Sequence, residues 1–372
     1  MRGLALAAGV AGATALLLGS CATIEYYWQG VAGEVDLLNR AQPISQVVES
    51  TPDPALKQKL ERTLAIREFA SRELALPDNA SYRSYTALDR HFVLWNVFAT
   101  PPLSLSARQW CFPVAGCVNY RGYFAEADAR GEAARLAGTG DDVYVGAVPA
   151  YSTLGYLNDP VLSTIIRYPD TEVARLIFHE LAHQVVYVKD DTVFNESFAV
   201  TVEEVGVQRW LVAQNDPQLA AQFDLAQRQR QVFLELVSRT RARLEALYAS
   251  QLDDAGKRAG KAAAFAAMRS DYEAQKSRWN GQGPYDGWFA HGANNASIVA
   301  TGLYSEEVPQ FKALLAAQGG DLPRFYAKVK ELARMPKAER QQALAALIPP
   351  TPSGVAQEEP ASIPARSAAR GY

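Results

Sequence analysis

Apolar positions along this chain change their spacing several times, and each change marks an element. Leu4 to Leu18 is a continuous apolar stretch behind Met1-Arg2-Gly3, the pattern of a cleaved secretory signal rather than a membrane span. From Tyr26 to Leu76 the spacing is helical, with Leu60, Leu64, Ile66 and Phe69 roughly on one face, until Pro77-Asp-Asn-Ala-Ser81 stops it with turn chemistry. His91 to Phe98 is aromatic and β-branched and predicts a strand, with His91 a structural side chain at its edge. Phe124 to Ala137 reads as a helix ended by Gly138-Thr-Gly140. A strand over Asp142–Val148 and an extended segment over 150–155 follow. Thr171 to Val188 is apolar at helical spacing with no Gly or Pro inside it. Lys189-Asp-Asp-Thr192 breaks that run, and Asp191 or Thr192 is placed to cap a second helix. Pro217 to Trp279 is helical and charged with a break near Asp253-Asp254, and residues 349–372 have the Pro-, Ala-, Ser- and Glu-rich composition of a disordered tail. Strand, helix, strand and then a long apolar helix is the order of an α+β layer. A small mixed sheet is expected against that helix, with further long helices after it.

Composition narrows the partners. A formal charge of −3 and a hydrophobic content of 48% describe an ordinary globular chain with a real core. No clustered basic face suggests nucleic acid, and no stretch after residue 20 approaches the roughly twenty apolar residues of a span.

The apolar helix carries the chemistry. His179-Glu180-Leu181-Ala182-His183 holds two of the chain's four histidines. Residues four apart on a helix lie one above the other, so both imidazoles face one point. This is the H-E-x-x-H arrangement of zinc metalloproteases, with the intervening glutamate as base. A catalytic zinc takes three protein ligands and keeps a position open. Glu196, in Phe194-Asn-Glu196, lies about four residues beyond the turn and His183 about five before it, or roughly 6 and 7 Å of helical rise. In an antiparallel pair the two reach the same height, which makes Glu196 the third-ligand candidate. Glu203, two turns further on, is placed to orient a ligand histidine. A developing oxyanion needs a donor besides the metal, and His291 and Tyr304 are the candidates. Tyr151 to Gly155 is a candidate edge strand for pairing with an extended peptide.

The leader ends Leu18-Gly19-Ser20-Cys21, which resembles the lipobox of bacterial lipoproteins. The resemblance implies cleavage before Cys21, lipidation of that residue, and a membrane anchor without a span. Ala22 at the next position implies outer-membrane sorting, facing the periplasm. In such a compartment Cys111 and Cys117, with Pro113 and Gly116 between them, are suited to a disulfide, although two free thiols or a second metal site also fit the pair.

Several separate segments resemble the predicted aminopeptidase family of bacterial lipoproteins. They are Trp110–Val118, Tyr120–Phe124, Ala150–Gly155, His179–His183, Phe194–Glu196 and Asn294–Ala296, in that order, within about Tyr26 to Arg340. The resemblance implies a secreted, zinc-dependent peptidase with a zincin-like core. An aminopeptidase also needs an anionic group for the substrate's free amine, for which Glu126, Glu203 and Glu204 are candidates.

The expected organisation is a signal at 1–20, one zinc metallopeptidase domain at 21–348 with its zincin core at about 88–212, and a tail at 349–372. The expected activity is hydrolysis of peptide bonds in peptides or proteins, as an aminopeptidase. An envelope endopeptidase and a non-catalytic zinc-containing lipoprotein that binds a partner are the alternatives.

Overall fold

The computed structural model describes residues 26–348 apart from 27, 113–115, 151, 291 and 303–305. Cys21, Tyr151, His291 and Tyr304, the leader and the C-terminal tail therefore lie outside the described residues.

A helix α1 spans 28–39. It is followed by β1 (Gln42–Pro43), α2 (Ile44–Ser50), α3 (Pro54–Arg72), β2 (Ser84–Thr86), β3 (Leu94–Thr100), β4 (Trp110–Phe112), β5 (Gly116–Val118) and β6 (Arg121–Tyr123). Then come α4 (Glu126–Gly138), β7 (Asp142–Val148), β8 (Val161–Leu162), α5 (Ser163–Ile166), α6 (Asp170–Val185) and α7 (Thr192–Gln214). The long pair α8 (Pro217–Ala249) and α9 (Asp254–Arg278) precedes five shorter helices: α10 (Asp286–Ala290), α11 (Asn295–Gly302), α12 (Val308–Ala317), α13 (Leu322–Ala333) and α14 (Lys337–Ala345). The result is a helix-rich α+β fold. No helix among the described residues is long and apolar enough to cross a membrane.

Local chemistry sets several boundaries. Pro54 begins α3 at a position where its missing N–H costs nothing, and the Asp53 carboxylate accepts from Ala55 N at 2.9 Å and Leu56 N at 3.2 Å. Asp216 caps α8 in the same way, and Asp253 accepts from Gly256 N at the start of α9, which is why the charged helix breaks there. Arg67 of α3 is fully buried, contrary to its residue type. Its fork donates to Ser81 O (2.8 Å), Pro77 O (2.8 Å) and Ser71 Oγ (2.6 Å), so it ties down the turn at 77–81.

The sheet expected against the apolar helix resolves into separate layers. The larger sheet, β6–β3–β7, is antiparallel. Trp95, Val97 and Ala99 of β3 pack on Ala129 and Leu136 of α4, and Phe98 packs on Ala296 and Ala300 of α11. Central burial explains why β3 starts at Leu94, while His91 stays in an exposed bend beside the Arg167 guanidinium. The small mixed sheet β1–β2–β8 adds Tyr85 and Val161 to the core that contains α6. The main partners of α6 are helices α7 and α3. Its apolar face needs a broad complement, and Leu60, Ile66 and Ala70 of α3 with Phe194 and Phe198 of α7 provide it.

One of the buried groups without a hydrogen-bond partner is a carboxyl. Glu34 of α1 is buried and neither carboxylate oxygen has a hydrogen bond. Burial, with Asp159 adding to it, pushes this carboxyl up to about 7 from 4.5. Because the folded value is the higher one, the folded state binds the proton more tightly. Stability from this group is full below about pH 4.5 and declines as pH rises towards 7. The Glu34→Gln variant is expected to remove about 3 kcal/mol of that decline. Chemical unfolding at about pH 5 and about pH 8 measures it, and an equal shift at both pH values would exclude titration as the cause.

Candidate metal centre

The centre forms on the antiparallel pair α6–α7. Asp170 and Glu172 lie in the first turn of α6, where carboxylates complement the helix dipole, and Lys59 holds Asp170 at 2.6 Å. The connecting turn is closed by one side chain. Asn195 Oδ1 accepts from Val188 N and Asn195 Nδ2 donates to Val188 O, both at 2.7 Å. This fixes the first turn of α7, and with it Glu196, against the end of α6. Asp191 sits at the N-cap but accepts nothing there from the helix. Its carboxylate is engaged by the guanidinium of buried Arg340 instead, so the expected side-chain cap is replaced by an ion pair to α14.

The structure brings His179, His183 and Glu196 together, with ligand-type atoms all within 4.8 Å of one another. His183 Nε2 lies 3.1 Å from His179 Nε2, and the Glu196 carboxylate is 3.2 Å from His179 Nε2 and 3.8 Å from His183 Nε2. Both histidines are buried. The Glu203 carboxylate, wholly buried, accepts from His179 Nδ1 at 2.8 Å. It is itself held by Arg175 at 3.2 Å and Arg230 at 3.4 Å. Arg175 reaches on to Glu172 (2.8 Å), and Arg230 to Glu204 (3.3 Å), which pairs with Lys312 (2.6 Å).

Each group's proton affinity follows from these neighbours. Burial raises the cost of ionising Glu203, but Arg175, His179 and Arg230 outweigh it and hold the carboxyl down at about 2. His179 is pushed up to about 10, since Glu196 and Glu203 overcome the opposing effect of burial. His183 is pushed down to about 4, chiefly by burial, with His179 adding to it. Burial raises Glu180 to about 7, opposed by His179 and reinforced by Glu196 and Asp159.

This set fits a divalent transition ion. With Nδ1 donating to Glu203, Nε2 of His179 is the ring atom that faces the other two ligand atoms. A bound cation would take the place of the proton that His179 Nε2 shares with Glu196. Two nitrogens and one oxygen are the His₂Glu set of catalytic zinc, and the Glu203 contact is the outer bond such histidines carry. His183 Nδ1 is buried without a partner, so the structure gives only one of the two rings that second bond.

Residues 25–344 match the family model of the putative aminopeptidases. The chain belongs to that family. No curated protein and no solved structure matches it.

Other expected residues of this aminopeptidase-family chain fall differently. Glu126 pairs with Arg130, Glu203 orients His179, and Glu204 pairs with Arg230 and Lys312, so each candidate for holding a free amine is already engaged. Residues 152–155 do not form an edge strand. Thr153 donates through N (3.0 Å) and Oγ1 (2.8 Å) to buried Asp159, and Leu154 and Gly155 turn through positive φ against Gln184. Two tyrosines that sequence reasoning passed over pack beside the ligand helices, Tyr187 on His183 and Tyr120 in one cluster with Val193 of α7. The Tyr187 ring is 6.3 Å from that of His183. Tyr120 has Glu196 as the charge acting on it most strongly. The only local signal for Tyr120 was its place in the Tyr120–Phe124 segment.

Glu203→Gln is expected to lower zinc affinity roughly 10–100-fold through loss of the bond to His179. Competition with a chromophoric chelator measures this, with circular dichroism as the folding control. A change under about threefold would remove Glu203 from that role.

Proposed function

We propose that this chain is a zinc-dependent peptidase of the aminopeptidase type, with a zincin-like centre. The observation that carries the reading is the convergence of His179, His183 and Glu196, with the adjacent Glu180 carboxylate left without an ion-pair partner among the described residues. A site that only held a structural ion would have no use for that carboxylate.

When bound, the ion supplies Lewis-acid polarisation of a carbonyl and a more acidic water. The chain's own groups do the rest. Glu180, with its carboxyl near 7, accepts the proton of the attacking water and delivers it to the departing amine. Glu203 keeps the His179 ring in the orientation and tautomer a ligand needs. The Asn195 clamp keeps Glu196 at the height of His183.

We also propose that the protein is anchored by lipid at Cys21 on a membrane surface, at the outer membrane facing the periplasm, with 21–348 as the working unit. The lipobox resemblance supports this. A second reading, an endopeptidase, has one observation in its favour: the buried Glu203 and the Glu204 carboxylate are both held by other side chains.

The zinc-loaded protein and its Glu180→Gln variant, incubated with a mixed peptide pool, are expected to differ by roughly 10²–10⁴ in rate at equal zinc content. Mass spectrometry separates stepwise N-terminal loss from internal cuts. Equal cleavage by both proteins would sink the proposed mechanism. Separately, Cys21→Ser is expected to abolish incorporation of labelled palmitate in cells, and unchanged labelling would refute the anchor.

A further inference from the structure

The hairpin β4–β5 is closed by the Cys111–Cys117 disulfide and docks on the turn that joins the two ligand helices. Cys117 N donates to the Asp190 carboxylate. Gly116, at φ +77°, lies so close that a Cβ would meet Lys189 Cγ at 2.6 Å. Only glycine permits both that backbone angle and that approach. The segment leaving this hairpin carries Tyr120.

Tyr120 is half-buried, its ring 5.6 Å from that of Phe98. It packs in the same small cluster as Val193, three residues before Glu196 and so on the same side of α7. Burial raises the proton affinity of the phenol, and the charge of Glu196 adds to it. No hydrogen bond to a protein acceptor occupies that hydroxyl among the described residues. Tyr187, edge-on to the His183 ring and 36% exposed, stands at the rim. A peptide carbonyl under attack collects negative charge on its oxygen and is stabilised by a fixed donor aimed at it.

We propose that Tyr120 is a catalytic residue whose O–H donates to the carbonyl oxygen of the peptide bond under attack, held there by the disulfide-closed hairpin. The inference rests on the peptidase reading above. As the water oxygen bonds to the carbonyl carbon, the C=O π pair moves onto the oxygen, and the water's proton goes to Glu180. The Tyr120 proton is shared with the oxygen and stays on the phenol. When the pair returns, the C–N bond breaks and its nitrogen takes the proton from Glu180.

The test uses the zinc-loaded chain, its Tyr120→Phe and Tyr187→Phe variants, and a peptide that the wild type cleaves. Tyr120→Phe is expected to lower kcat roughly 10²–10³-fold with little change in KM. It is also expected to weaken binding of a phosphinic peptide, whose tetrahedral anionic oxygens mimic the charge, by more than about tenfold at unchanged zinc affinity. Wild-type rates and binding in Tyr120→Phe would overturn the proposal. So would a loss confined to Tyr187→Phe, or a drop in zinc affinity that accounts for the effect. A zinc-loaded wild type that neither cleaves peptides nor binds the phosphinic peptide would fail at the peptidase reading itself, and the Tyr120 role would fall with it.

Discussion

Between α6 and α7, two imidazole nitrogens and a carboxylate oxygen are forced together in a region that solvates charge poorly, and much of the fold is arranged around that convergence. Left alone, such polar groups would turn toward water. Three constraints prevent this. Asn195 makes both of its hydrogen bonds to one backbone residue and so fixes where α7 begins. Glu203 fixes one ring, and the guanidinium groups beside it keep that carboxylate ionised despite total burial. The apolar face of α3 packs on α6 and that of α12 on α7, in one core, so the polar seam is closed by packing it does not itself supply.

The parts of the centre legible in the sequence are those governed by local periodicity. His179 and His183 share a face because a helix repeats every 3.6 residues, and Glu196 reaches their height because a short turn reverses the direction of rise. Both arguments need only spacing. The element order of α3, α4, β7, α6, α8 and α9 is readable for the same reason, through turns, caps and interruptions in pattern.

Contacts between distant segments have no such signal. Asp191 looks like a cap until Arg340, far along the chain, is placed beside it. Arg67 looks like a surface cation, yet the carbonyls of the 77–81 turn receive it. Residues 150–155 have strand-like composition, but the Asp159 carboxylate curls 152–155 back through Thr153. The sheet, expected against the metal helix, divides because β3 is covered on both faces by α4 and α11 before it can reach α6. Tyr120 is one of seventeen tyrosines, and only the docking of the disulfide hairpin distinguishes it.

The ion pairs behind Glu203 form an alternating series of charges. One branch runs through Arg175 to Glu172, the other through Arg230 and Glu204 to Lys312. Both branches end at side chains that water reaches, 35% exposed at Glu172 and 51% at Lys312. Opposite charges polarise their neighbours, and the innermost link bears on a metal-ligand ring. The electrostatic boundary of the centre is therefore not its mouth. Ionic strength acting on two surface residues, Glu172 on the ligand helix itself and Lys312 far along the chain, is coupled through this series to the basicity of His179.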